Sequence, residues 1–246
     1  MPSSLAHRLS SLADWRQSVD AAGATLLQWL KSHDLYGDRE RALLVTLHER
    51  MVSDRLMVAF VAEFSRGKSE LINAIFFADA GRRVLPATPG RTTMCPVELH
   101  YDAQSAPSLA LLPIETRLRG LSLSDLRGRE EPWTRIPLDM NDPAGLARAM
   151  GEVMRTREVD VDEAKALGLW HEDDGDETPP LTPGGRVEVP AWRHAVVNYP
   201  HPLLQRGLVV LDTPGLNAIG AEPELTLGLL PSAHATVFLL GADTGV

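Results

Sequence analysis

Apolar positions first recur at alternating four- and three-residue spacings in residues 3–31, where Leu5, Leu9, Leu12, Val19, Leu26 and Leu30 form one stripe broken by Arg16 and Gly23. That spacing predicts an amphipathic helix. A second helical pattern covers about 38–54, with Leu43, Leu44, Leu47 and Met51 on one face. From Leu56 the pattern changes to a continuous apolar run ending at Ala62, expected of a strand covered on both faces. Ser69 to Phe77 then reads as a helix, and Pro96–Tyr101, Ser108–Leu112, His194–Tyr199, Leu208–Asp212 and Thr236–Leu240 as strands. Between them, Pro143–Arg157 predicts a helix with Asp142 as N-cap and Pro143 at the first helical position. A further helix starts at Asp160, with Glu163 placed to complete a capping box. Strands with intervening helical stretches predict an α/β layered sandwich.

Composition narrows the class. The 246 residues are 44% hydrophobic and 23% charged, enough apolar material to rule out disorder over most of the chain. No apolar run approaches the ~20 residues of a membrane-spanning helix, and Arg8, Asp14 and Arg16 occupy the place of a signal peptide's apolar stretch. The single cysteine, Cys95, excludes an internal disulfide framework and suits a cytoplasmic protein. A net charge of −9 argues against nucleic acid as a partner. Lysine occurs only at Lys31, Lys68 and Lys165.

Lys68 belongs to the strongest chemical signal. Ala62-Glu-Phe-Ser-Arg-Gly-Lys-Ser69 has the spacing of a phosphate-binding loop, with Ala62 where Gly is usual, then Glu63, Phe64, Ser65, Arg66, Gly67, Lys68 and Ser69. Backbone N–H groups at a helix start cradle phosphate, Lys68 reaches the β- and γ-phosphates, and Ser69 ligates Mg²⁺. If the Ala62 position required a positive φ, alanine would be strained there by about 1 kcal/mol. A second element, Leu208-Val-Val-Leu-Asp-Thr-Pro-Gly215, ends an apolar strand in Asp-x-x-Gly. That fits Asp212 holding Mg²⁺ through water and the Gly215 N–H contacting the γ-phosphate. Leu216 stands where a water-orienting Gln occurs in Ras-type enzymes. Arg66 has three readings, positive charge beside the phosphates, a pair with Glu63, or a side chain directed to solvent.

Other features carry less. His194 and His201 read as ordinary polar histidines, and the acidic loop Glu172–Gly185 lacks the alternating ligands of a calcium site. Cys95 reads as a structural thiol, with no histidine neighbour to activate it.

The two motifs and the segment between them resemble the dynamin superfamily of large GTPases, specifically the bacterial dynamin-like proteins. AEFSRGKSELINAI (62–75) resembles their first nucleotide-binding element, Val84-Leu-Pro-Ala-Thr-Pro-Gly-Arg-Thr-Thr-Met-Cys-Pro96 their switch I, and LVVLDTPGLN (208–217) their third element. The resemblance covers roughly 56–102 and 193–246. It implies a three-layer P-loop GTPase sandwich with a predominantly parallel sheet, GTP as substrate and Mg²⁺ as cofactor. It also implies Thr93, rather than Thr92, as the threonine on Mg²⁺ and the γ-phosphate, and Ser65 as a transition-state-stabilising serine. Self-association through the GTPase domain and peripheral membrane contact follow from the same likeness. So do the segments expected: N-terminal helices over 1–55, joining a helical bundle or lying on the core, and a GTPase domain over 56–246 with a long insertion at about 103–190. The base-reading Asn/Thr-Lys-x-Asp element would follow the strand ending near Leu240, and the chain ends at Val246. An N-terminal portion of a longer protein is therefore expected, a weak GTPase by itself. A nucleotide-binding scaffold without efficient turnover and a ribosome-associated assembly GTPase are the alternatives.

Overall fold

The computed structural model describes residues 5–33, 35–37, 55–62, 67–78, 83–86, 95–127, 129–170, 181–214, 230 and 233–240. The expected helix at 38–54, the loop residues Glu63, Phe64, Ser65 and Arg66, Thr92, Thr93, Gly215, Leu216 and most of the acidic loop lie outside them.

Nine strands are described: β1 Leu56–Ala62, β2 Val97–His100, β3 Ser108–Pro113, β4 Thr134–Pro137, β5 Thr156–Val159, β6 Val187–Pro190, β7 Trp192–Asn198, β8 Leu208–Asp212 and β9 Ala235–Leu239. Seven of them form one sheet in the order β4-β3-β7-β2-β8-β1-β9. The fold is α/β with a large central sheet, as expected, and the parallel character is concentrated where the apolar runs are longest. β9, β1 and β8 run parallel, with buried β1 between buried β8 and the largely exposed edge strand β9. β2 turns antiparallel to β8, β7 lies parallel to β2, and β3 and β4 complete the sheet antiparallel.

One face of the sheet carries the main core. Alternation directs Val97 and Leu99 of β2, Leu109 and Leu111 of β3, Ala195 and Val197 of β7 and Val210 of β8 into it. Ile72 and Phe76 of α2 (Lys68–Phe76) and Leu146 and Met150 of α4 (Pro143–Gly151) close over them. On the other face Ala59, Val61 and Leu211 form a smaller cluster.

The stretch 103–190 divides in two. β3 and β4 extend the main sheet, whereas β5, β6 and α5 (Val161–Ala166) enclose a separate core of Val159, Ala164, Leu167, Val187 and Val189. Strands β4, β5 and β6 have no signature in the sequence pattern, being four residues each and interrupted by charged residues or ended by proline. The helix expected over 143–157 begins as predicted, with Asp142 accepting from the Ala144 N–H, but stops at Gly151. A short 3₁₀ turn follows, and Arg155 is already extended before β5. The reason is tertiary: Trp192 donates from Nε1 to the Glu152 carbonyl at 2.7 Å, and Thr156–Val159 pairs with β6. Asp160 caps α5 by accepting from the Glu163 N–H at 2.7 Å. The Glu163 carboxylate does not return the bond and instead accepts from Arg157 at 2.7 Å, so only half of the capping box forms.

Helix α1 runs Leu5–Ser32. Leu9 of its leucine stripe enters the main core, beside the 3₁₀ turn Leu204–Arg206, while Val19 and Leu26 are exposed along with Trp15 and Trp29.

Candidate functional site

β1 and β8 are adjacent and parallel, with Phe60 in register with Asp212, so the chain leaves both strands at the same edge of the sheet. Open α/β sheets bind ligands outside such carboxyl ends. Ala62, the last residue of β1, is paired with Leu239 in extended conformation, so the left-handed strain considered for alanine does not arise. Gly67 N-caps α2 with φ of +79°, a conformation that disfavours any side chain, and its carbonyl accepts the first helical bond from Leu71 N at 2.9 Å.

Two of the expected ligand-binding side chains sit in the first turn of α2 and reach across to β8. Lys68, 8% exposed, places Nζ 3.2 Å from Asp212 Oδ1. Ser69 donates from Oγ to Asp212 Oδ2 at 3.4 Å. Asp212 is 1% exposed. Burial pushes its carboxyl up, and the Lys68 charge and the Ser69 hydroxyl pull it back only in part. A buried carboxylate met by one ammonium and one long hydroxyl bond is an arrangement suited to a hard cation, which takes oxygen ligands such as these. The residues therefore fit Mg²⁺.

Neighbouring contacts fix this geometry, and the motif reading does not single them out. Thr213, next to Asp212, donates from Oγ1 to the Phe60 carbonyl at 2.8 Å and so ties the end of β8 to β1. Asn73, one turn beyond Ser69, donates to the Leu85 carbonyl at 2.9 Å and accepts from the N–H groups of Val84 and Leu85 at 3.0 and 2.8 Å. That clamp anchors the start of the switch-like segment to α2. A polar residue amid the apolar positions of a short helix is the signal that marks it in the sequence. Cys95 is buried, donates weakly to the Val153 carbonyl at 3.7 Å, and has its thiol pushed up to about 12 by burial and by the nearby Asp212 charge. The structural role expected of it is what its surroundings support.

His194 is placed unlike an ordinary polar histidine. It is fully buried on β7, 3.7 Å from the buried Glu98 of β2, which also bonds Arg127 of α3 (Leu123–Arg127). Among the described residues no three His, Cys, Asp or Glu side chains cluster as they would around a metal held by them alone. No helix among them is long and apolar enough to cross a membrane.

Comparison with known proteins gives the family. A bacterial dynamin-like protein of Nostoc punctiforme is 46% identical over 50 residues, a match spanning 20% of this chain and 7% of that protein. Two structures of an oligomerised bacterial dynamin pair, described as providing long-range sensing and tethering of membranes, align over 96% of this chain at 13% identity. Their TM-scores are 0.48 and 0.47, and the chain spans 34% and 29% of their lengths. The dynamin family model matches residues 58–246, which takes in β1 from Val58 onward, the loop that follows it, Asp212 and β9. The chain belongs to the dynamin family.

Proposed function

We propose that residues 56–246 form the phosphate-binding part of a GTPase domain that binds and hydrolyses GTP with Mg²⁺ in a dynamin-like protein. The observation that carries this reading is the convergence of Lys68 and Ser69 on Asp212 at the carboxyl edge of β1 and β8. Lys68 supplies the cation for the β- and γ-phosphates, and on nucleotide binding its ammonium leaves Asp212 for them. Ser69 and Asp212, with Thr93 of the switch-like segment, are the residues that would hold Mg²⁺, Asp212 through water. When bound, the ion neutralises charge on the β- and γ-oxygens. The loop residues from Ala62 to Gly67, with Thr92 and Gly215, line the phosphates. Ser65 and Arg66 are the candidates for stabilising charge as the γ-phosphoryl transfers, because catalysis of this kind rests on positioning and electrostatics. Guanine preference follows from family membership. The exposed stripe of α1, within the helical segment 1–55, and self-association through the GTPase domain are the proposed routes to assembly and membrane remodelling.

Lys68→Ala tests the reading. It should weaken GTP binding by an order of magnitude or more in a fluorescent-nucleotide titration, with the far-ultraviolet circular dichroism unchanged. Unaltered affinity would remove the phosphate-loop assignment. Tight binding with no detectable hydrolysis would favour a scaffold that binds nucleotide without turnover.

A further inference from the structure

The sheet face opposite the main core changes character at its β2-β7-β3-β4 end. There the alternation that buries Val97, Leu99, Ala195 and Val197 on one side turns Glu98, His100 and Asn198 to the other. These groups line a cavity of about 230 Å³, together with Arg55, Arg127, Arg135 and Trp133. It lies toward the start of β1, where Arg55 precedes Leu56, and so at the opposite end of that strand from Ala62.

Its acidic groups already have partners inside the protein. Glu98, 1% exposed, accepts from Arg127 Nη2 and lies 3.7 Å from both His100 Nδ1 and His194 Nε2. Asp102 accepts from the Gln104 N–H at 2.9 Å and from Ser105 Oγ at 2.7 Å. Asn198 likewise spends its amide on the carbonyls of Asp102, Ser105 and Ala106. The basic groups are not matched in the same way. Arg55 makes no close ion pair and acts on Asp102 only at a distance, Arg135 makes none with a described residue, and His100 Nδ1, without a hydrogen bond, faces Glu98. With Arg127 spent on Glu98, the lining carries three guanidiniums against two carboxylates, an excess of one positive charge in a chain of net charge −9. Low dielectric walls strengthen the field of such a cleft.

We propose that this cavity is a second ligand site, for a small oxyanion of phosphate or carboxylate type, held by Arg55 and Arg135. Guanidinium forks match both anions in geometry. The volume admits an anion of that size, and the nucleotide's own site is proposed at the other end of β1. This inference does not rest on the GTPase reading.

Isothermal titration with inorganic phosphate, and separately with acetate, at constant ionic strength tests it. The wild-type chain is compared with Lys68→Ala, which silences the phosphate loop, and with Arg55→Gln/Arg135→Gln. Lys68→Ala should still bind one of the two anions with a dissociation constant of about a millimolar or tighter. The double arginine exchange should weaken that binding tenfold or more. Both arginines are exposed, and Arg135→Gln alone, on the short strand β4, serves if the double variant does not fold. Binding of phosphate alone identifies a phosphate site, and binding of acetate as well identifies a general oxyanion site. Binding that disappears in Lys68→Ala and survives the arginine exchanges overturns the proposal, as does absence of binding by either anion.

Discussion

Replacing Asn73 with alanine removes three hydrogen bonds at once, to the Leu85 carbonyl and from the Val84 and Leu85 N–H groups. Val84 and Leu85 are 1% and 2% exposed, so the three backbone groups lose their partners inside the protein. Each net bond contributes about 1 kcal/mol, and each buried group left unpaired costs about 1–3 kcal/mol. A water entering the space of the lost amide would recover part of this. The net expectation is a loss of about 2–4 kcal/mol, which in a chain of this size lowers Tm by about 5–15 °C. Thermal and urea unfolding followed by circular dichroism measure it. Two comparisons isolate the cause. Leu71→Ala, at an exposed site of the same helix, should cost about 0.5 kcal/mol or less. Asn73→Asp keeps the size and both acceptor contacts but sets a carboxylate oxygen against the Leu85 carbonyl, so it should be no more stable than the alanine variant. A loss below about 0.5 kcal/mol for Asn73→Ala, or a near-native Asn73→Asp, refutes the clamp.

Three other outcomes are expected. Burial by itself raises the Glu98 carboxyl, but the adjacent His100 and His194 and the Arg127 charge outweigh it and hold the group well below the usual carboxylate range. Glu98 therefore stabilises the fold above the ordinary glutamate pKa of about 4.3 and loses that contribution as pH falls further, because the unfolded chain takes up the proton first. Between pH 6 and 3 the unfolding free energy of wild type should fall more steeply than that of Glu98→Gln, and equal slopes would contradict the assignment. Cys95 should react with Ellman's reagent only as the protein unfolds, given its burial and raised pKa; rapid labelling of one thiol per native chain would show otherwise. In the full-length protein, Ser65→Ala should cut kcat about tenfold or more with GTP affinity nearly preserved, read in single-turnover assays. Wild-type turnover in that variant transfers the role to Arg66.

Much of this protein was legible in one dimension because its causes are local. The run Leu56–Ala62 is apolar at every position, which only a strand covered on both faces tolerates. Gly67, Lys68 and Ser69 are fixed by spacing, since a phosphate at a helix start requires those groups in that order. Asp142 and Asp160 cap their helices from within a few residues. The mixed direction of the sheet was not legible, because whether β2 pairs parallel or antiparallel with β8 depends on the path of chain between them. Nor were β4, β5 and β6, whose four residues carry no period and are held extended by their neighbours. The end of α4 at Gly151 is likewise set by Trp192, 41 positions away, taking the Glu152 carbonyl. The site divides the same way. Which residues are proposed to meet phosphate is a matter of sequence spacing. That Lys68 and Ser69 stand against Asp212, that Asn73 holds Val84 and Leu85, and that Glu98, His100 and His194 share one polar recess are decided by strand order and register, which bring residues far apart in sequence within a few ångströms.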